Sequence, residues 1–220
     1  MRPDQREFID FMVECEVLTF GDFITKSGRP TPYFVNTGRY RTGSQISRLG
    51  RFYADAIVAR GIEFDLLFGP AYKGIPLVVA AAAALSQHHG IDVPFCFDRK
   101  ELKDHGEGGG LVGRTPNDGD RVLIVEDVTT AGTSVRDTVP KLRAVADVSV
   151  AGLIVSVDRM ERGRTERGAL AELREEFGLD SFAIATLDDI VEHLGPRLEA
   201  DDLDRIAAYR AEYGAVSAAN

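Results

Sequence analysis

Cysteine is scarce in this chain of 220 residues, and positive charge is in deficit. The two cysteines, Cys15 and Cys96, stand far apart, the first on a helical apolar face and the second between Phe95 and Phe97. Both read as buried thiols, not as metal ligands or nucleophiles. The 26 Lys and Arg against 35 Asp and Glu give a net charge of −9, which argues against a nucleic-acid or anionic-membrane surface, because either would need a basic face. Any anionic small molecule must therefore be met by a local cationic cluster. No apolar stretch approaches the length of a membrane span, and Ala80 to Leu85 is alanine-rich rather than strongly hydrophobic. The opening Met1-Arg-Pro-Asp-Gln5 has no signal-peptide hydrophobic segment, so a cytoplasmic location is expected. With no internal repeat and no low-complexity linker, the length suits one substantial α/β domain and at most a small appended subdomain.

Patterning supplies the elements. Phe8, Phe11, Met12 and Cys15 recur at helical spacing and predict a packing helix over 4–16. Residues 18–43 mix Gly, Pro, Ser, Thr and aromatics without a helical period, as short strands and turns over the mouth of a site would. A second helix is predicted over 44–60, where Leu49, Phe52, Tyr53 and Ala56 share a face. Strands at 64–69, 93–98, 121–127, 148–157 and 181–185 then alternate with helices at 74–88, 133–145 and 165–177, the signature of βαβ units on a mostly parallel sheet flanked by helices. Closing helices are predicted at 186–194 and 202–213, with a frayed tail from Ala215 to Asn220.

The stretch Val122 to Ser134 carries the most chemistry. Val122-Leu-Ile-Val125 is a short unbroken apolar run, the pattern of a strand buried on both faces. Glu126 and Asp127 thus fall at its carboxyl end, where open α/β sheets bind ligands. Behind them, Thr129, Thr130, Thr133 and Ser134 offer hydroxyls, while Ala131 and Gly132 let backbone N–H groups approach an oxygen-rich ligand. The helix that follows points its dipole at the same spot. Carboxylates repel phosphate, so a bare phosphate site would not set two acids beside an anion loop. A ribose 5-phosphate satisfies both halves, its hydroxyls donating to the acids and its phosphate seated in the Thr129–Thr133 turn. The plainer alternative is a surface turn with a capped helix.

Cations appear elsewhere. Gly69, Pro70 and Gly74 set a tight turn after a strand, leaving Tyr72 and Lys73 outward with backbone amides available to diphosphate oxygens. Arg99, Lys100, Lys103 and His105 precede glycines 106 and 108–110, and so many glycines in a charged stretch predict a flexible lid over 99–113 that closes on a polyanion. A charged hairpin without that role is the alternative. Gly108 to Gly113 fits G-x-G-x-x-G formally, but a polar run precedes it and a turn sequence follows, so it is not a dinucleotide fingerprint. Lys26 precedes a Ser-Gly turn, and Tyr33-Phe34 offers an aromatic face to a planar base. Arg159 follows a strand end, where a guanidinium can clamp a carboxylate with two hydrogen bonds; a surface pair with Asp158 or Glu161 would be its structural role.

Lys-Ser-Gly-Arg-x-x-Pro-Tyr-Phe at 26–34, Gly-Pro-Ala-Tyr-Lys-Gly at 69–74, Arg-Lys-x-x-Lys-x-His at 99–105, Glu-Asp-Val-Thr-Thr-Ala-Gly-Thr-Ser at 126–134 and Asp-Arg at 158–159 together resemble the orotate phosphoribosyltransferase family. The resemblance runs from about residue 6 to residue 195. It implies the type I phosphoribosyltransferase fold, with an N-terminal helix and hood segment over 1–43 that contributes to the base site, and a core over 44–220. It implies transfer of a phosphoribosyl group from phosphoribosyl diphosphate (PRPP) to N1 of orotate, with inversion at C1, giving orotidine 5′-monophosphate and pyrophosphate in de novo UMP synthesis. PRPP would meet Lys26, Tyr72, Lys73, Arg99, Lys100, Lys103, His105, Glu126, Asp127, Val128, Thr129, Thr130, Ala131, Gly132, Thr133 and Ser134. Orotate would meet Lys26, Phe34, Val35, Thr130 and Arg159. Val35 departs from the aromatic pair common in the family. Lys103, His105, Glu126 and Asp127 would be catalytic. Mg²⁺ is the implied cofactor, carried by PRPP with no dedicated protein site. A homodimer is implied, with Lys100 and Lys103 reaching into the neighbouring subunit's site. Two rivals share the PRPP motif: a transferase for another base, such as a purine, and a regulatory protein that binds PRPP without chemistry.

Overall fold

Two sheets organise the chain in a computed structural model that describes residues 1–25, 28–99 and 110–216. Strands β1 (Leu18–Ile24) and β2 (Pro30–Val35) form an antiparallel hairpin. Strands β3 (Leu66–Gly69), β4 (Phe95–Asp98), β5 (Leu111–Gly113), β6 (Arg121–Val125), β7 (Ser149–Asp158) and β8 (Asp180–Thr186) form the main sheet. Its order is β5-β4-β3-β6-β7-β8, and every pair is parallel except β4 with β5. The helices are α1 (Pro3–Glu14), α2 (Gly43–Arg60), α3 (Gly74–His89), α4 (Thr133–Val145), α5 (Ala169–Phe177), α6 (Leu187–Leu194) and α7 (Ala200–Tyr213).

Alternation along the central strands divides the core in two. Leu67, Leu123, Val125 and Ile154 pack with α1, α2, α3 and α6, through Phe8, Phe52, Ile57, Val78 and Ile190 among others. Leu66, Phe68, Ile124 and Val155 face the other way, against Val135, Val139 and Leu142 of α4 and Leu173 of α5. This explains why β6 reads as an unbroken apolar run: successive side chains enter different cores. Helix α2 lies so close to α3 that a Cβ on Gly50 would sit 2.5 Å from the Ala80 carbonyl oxygen. Its start is fixed by Thr42, which accepts from the Gln45 N–H while the Gln45 side chain returns to the Thr42 N–H. Both cysteines are free and buried.

The expected elements are present, with four differences. Strand β5 was not predicted; three residues beside a glycine run show no period, and only pairing with β4 makes them a strand. The ladder of β6 stops at Val125, leaving Glu126 and Asp127 just beyond it. Helix α5 starts at Ala169 instead of 165, because residues 161–168 fold back on themselves through Gly163 N–H to the Arg167 carbonyl and a bridge between Arg162 and Gly168. Ala215 and Val216, expected to fray, donate to the carbonyls of Met160 and Glu166.

Candidate active site

The chain leaves β3 for β4 on one side and returns to β6 on the other, so the crevice between the carboxyl ends of β3 and β6 is the switch point of the sheet. Pro70 to Lys73 emerge from one wall and Glu126 and Asp127 from the other. Lys73 Nζ reaches across to Asp127 Oδ2 at 2.8 Å. The same carboxylate oxygen accepts from Thr37 Oγ1 at 2.8 Å, delivered by the single turn Thr37–Arg39 that follows β2. Ser156 of β7 fixes the Asp127 carbonyl twice, from its N–H at 2.8 Å and its hydroxyl at 2.6 Å.

Glu126 and Asp127 are each 6 % exposed, yet they titrate in opposite directions. Burial raises Glu126 to about 7, aided by the neighbouring Asp127 charge and opposed by the Ser134 hydroxyl, which donates to Oε2 at 2.6 Å. Burial would also raise Asp127, but the Lys73 hydrogen bond and charge, the Val128 N–H and the Thr37 hydroxyl overcome it and hold the group below its ordinary value. The site therefore presents one firmly ionised acceptor beside one that takes up a proton near neutrality. Tyr53, fully buried on α2, anchors the pair by donating to the Glu126 carbonyl at 2.7 Å.

Val128 to Gly132 link these acids to α4. Val128 bridges Val157, and the Gly132 N–H donates to Thr129 Oγ1 at 3.0 Å. Gly132 sits at φ +66°, left-handed backbone that turns the chain into the helix. No side chain caps α4, so the N–H groups of its first turn are available to an anion. Thr130 and Thr133 are exposed, while Val128, Thr129, Ala131 and Ser134 are half-buried. Arg136 braces the loop from behind, bonding the Ala131 carbonyl, Glu176 at 2.7 Å and Glu172 at 3.2 Å.

On the opposite wall the Ala71–Tyr72 peptide is cis, Tyr72 is 62 % exposed, and the Ala71 N–H donates to Asp98 Oδ1 at 2.6 Å. Asp98 is buried and also accepts from Lys141 at 2.9 Å. Arg99, exposed at the end of β4, donates its N–H to the Gly110 carbonyl. Lys26, Lys100, Lys103 and His105 lie outside the described residues.

The residues assigned to the base behave differently from one another. Phe34 is half-buried and stacks on Phe23 with ring centroids 5.5 Å apart. Val35, 8 % exposed, belongs to the buried core, so a planar ligand would not stack on it. Arg159 is 7 % exposed, and its pairing with Glu161, 2.7 Å from Nη2, is a buried contact and not a surface one. Its guanidinium also lies 4.5 Å from the Tyr33 ring centroid. Thr37, Asp98 and Ser156 are site residues that the sequence reading does not single out, and Tyr53 enters it only as part of a helix's packing face. Asp98 alone carried a signal, as an acid opening a cationic run.

Among the described residues no three His, Cys, Asp or Glu are grouped to hold a metal ion. The acids at the crevice are already engaged by Lys73, Thr37 and Ser134, a donor arrangement that ribose hydroxyls can join.

Comparison with known proteins agrees with this geometry. Residues 36–185 match the family model of the phosphoribosyl transferase domain. The chain is 57% identical to the orotate phosphoribosyltransferase of Clostridium beijerinckii over 98% of this chain and 100% of that one. It is 50% identical to the Cronobacter sakazakii enzyme of the same name, over 97% and 100%. The crystal structure of the orotate phosphoribosyltransferase of Francisella tularensis matches with a TM-score of 0.86 at 37% identity, over 94% of this chain and 99% of that one.

Proposed function

The chain belongs to the orotate phosphoribosyltransferase family, and on that premise we propose that it joins N1 of orotate to C1 of the ribose of PRPP and releases pyrophosphate. The observation that carries this reading is the crevice itself: two buried carboxylates, an uncapped anion loop and a facing lysine at the switch point of the sheet. The Thr129–Ser134 amides and hydroxyls would seat the 5-phosphate, and Asp127 and Glu126 would accept from the ribose hydroxyls. Lys73, turning from Asp127, would meet the diphosphate together with Tyr72 and Arg99. Arg159 would clamp the carboxylate of the base, with Phe34 and Thr130 beside it.

The C1–O bond to diphosphate breaks as the C1–N1 bond forms, the N1 proton passes to His105 or to the departing diphosphate, and positive charge develops on the ribose. The protein holds the partners in line and stabilises the departing charge with fixed cations. We assign Lys103 to that leaving group and His105 to diphosphate binding or proton transfer. Mg²⁺ would arrive on the oxygens of PRPP and neutralise the diphosphate. The hood segment over 1–43, a homodimer with Lys100 and Lys103 crossing into the neighbouring site, and a cytoplasmic location belong to the same proposal.

Purified protein mixed with PRPP, Mg²⁺ and orotate should consume orotate absorbance and release pyrophosphate in equal amounts. Turnover with a purine base and none with orotate would refute the assignment. Lys103→Ala should depress kcat by a hundredfold or more, on the order expected for removing one preorganised charge, while the Kd for PRPP changes little. Lost PRPP binding with unchanged kcat would contradict the role given to Lys103.

A further inference from the structure

Glu161, a buried carboxylate beside Arg159, has no task in the mechanism above. Glu161 is 7 % exposed, and a single oxygen, Oε1, takes Arg159 Nε at 2.8 Å, Arg159 Nη2 at 2.7 Å, the Tyr33 hydroxyl at 3.1 Å and the Tyr209 hydroxyl at 2.9 Å. Oε2 faces Arg29 Nη1 at 3.6 Å. Arg159 is thus gripped by its Nε–Nη2 edge, with its plane over Tyr33 and Thr31 Oγ1 3.4 Å from Nη2. Among the described residues Nη1 donates no hydrogen bond, and the Tyr209 hydroxyl lies beside the guanidinium. A guanidinium binds carboxylates through a rigid fork, so fixing one edge decides where the other points.

Charge adds a second constraint. Arg29, Arg159 and Glu161 together carry one net positive charge, which one carboxylate balances. Without Glu161, two guanidinium groups would share this partly buried space uncompensated.

We propose that Glu161 is the positioning residue that aims Arg159 at the carboxylate of the incoming base, and that α7 takes part through Tyr209. The inference rests on the reading that Arg159 receives orotate. Residues 160–175 are rich in Arg and Glu, and the proposal gives the first acid of that stretch a purpose; it also ties base selection to a helix far along the chain from every motif of the site.

Steady-state kinetics on Arg159→Ala, Glu161→Gln and Tyr209→Phe test it, with uracil, which lacks the carboxylate, as competing base. Glu161→Gln should raise the KM for orotate about tenfold, in keeping with the loss of a charge-assisted hydrogen bond, and leave the KM for PRPP within about twofold. Binding of uracil should hardly move, so discrimination between the two bases narrows. Tyr209→Phe should shift the orotate KM the same way by about threefold, as for one neutral donor. Equal losses for orotate, uracil and PRPP would show a merely structural role and overturn the proposal, as would an unchanged orotate KM. If Glu161→Gln does not fold, Tyr209→Phe decides by the same criteria. If Arg159→Ala leaves the orotate KM unchanged, the base-site reading itself fails; if it raises that KM while Glu161→Gln does not, only the positioning claim falls.

Discussion

Glu126 and Asp127 share a strand end and a level of burial, and Lys73 and Thr37 make the difference between them, since both address Asp127. The consequence for stability has a sign. Glu126 is raised in the folded state, so its contribution is full below its ordinary value of 4.5 and is lost as pH rises through about 7. Asp127 is lowered, so its contribution is present above 3.8 and fades only as pH falls below that. Between pH 5 and 8 the Glu126 effect acts alone within this pair. Glu126→Gln removes it, so the Tm of the variant minus that of the native protein should climb across that interval. A difference independent of pH would show that Glu126 is not held protonated by burial. At this scale the sequence disclosed the two acids and the hydroxyls behind them, because they are contiguous. Thr37 and Ser156, which lie far along the chain and carry no motif, became visible only in three dimensions.

Two glycines separate what an element does for the fold from what it does for the site. Gly50 is a point of close approach between α2 and α3, and a methyl there would meet the Ala80 carbonyl. Gly50→Ala should cost about 1–3 kcal/mol of stability by overpacking while KM values stay put, as read by denaturant unfolding and kinetics. Gly132 joins β6 to α4 with φ +66°, and an added Cβ would lie 2.8 Å from Arg136 Nη1 and 3.0 Å from Leu173. Gly132→Ala should cost roughly 1–2 kcal/mol through backbone strain and also raise the KM for PRPP, because the loop it distorts is the anion loop. Helices α1 and α2 were legible from their periods, and the parallel strands from apolar runs between helices. The start of α5 was not, since Glu172 gathers the Arg164 and Thr165 N–H groups and the Thr165 hydroxyl into a turn that helical spacing had claimed.

At the scale of the molecule, alternation of strands and helices indicated a mostly parallel sheet, but strand order is a matter of pairing and had to be observed. That order places the crevice between β3 and β6 and so explains why motifs more than fifty residues apart converge. The proposed sharing of the site between subunits is testable by mixing. Lys73→Ala and Lys103→Ala dimers, each inactive alone, should regain about a quarter of native activity after subunit exchange, since half the dimers would be mixed and each would hold one intact site. No recovery would place Lys103 in its own subunit's site.

The bridge between Lys73 and Asp127 also bears on what the crevice refuses. Ribose 5-phosphate alone would dislodge the ammonium from Asp127 and offer it nothing in return, and free pyrophosphate would draw it away from a carboxylate left covered but unpaired. Whole PRPP satisfies both partners in one event. The bridge is therefore a filter against fragments of the substrate, and calorimetry should find the two fragments binding far better together than either does alone.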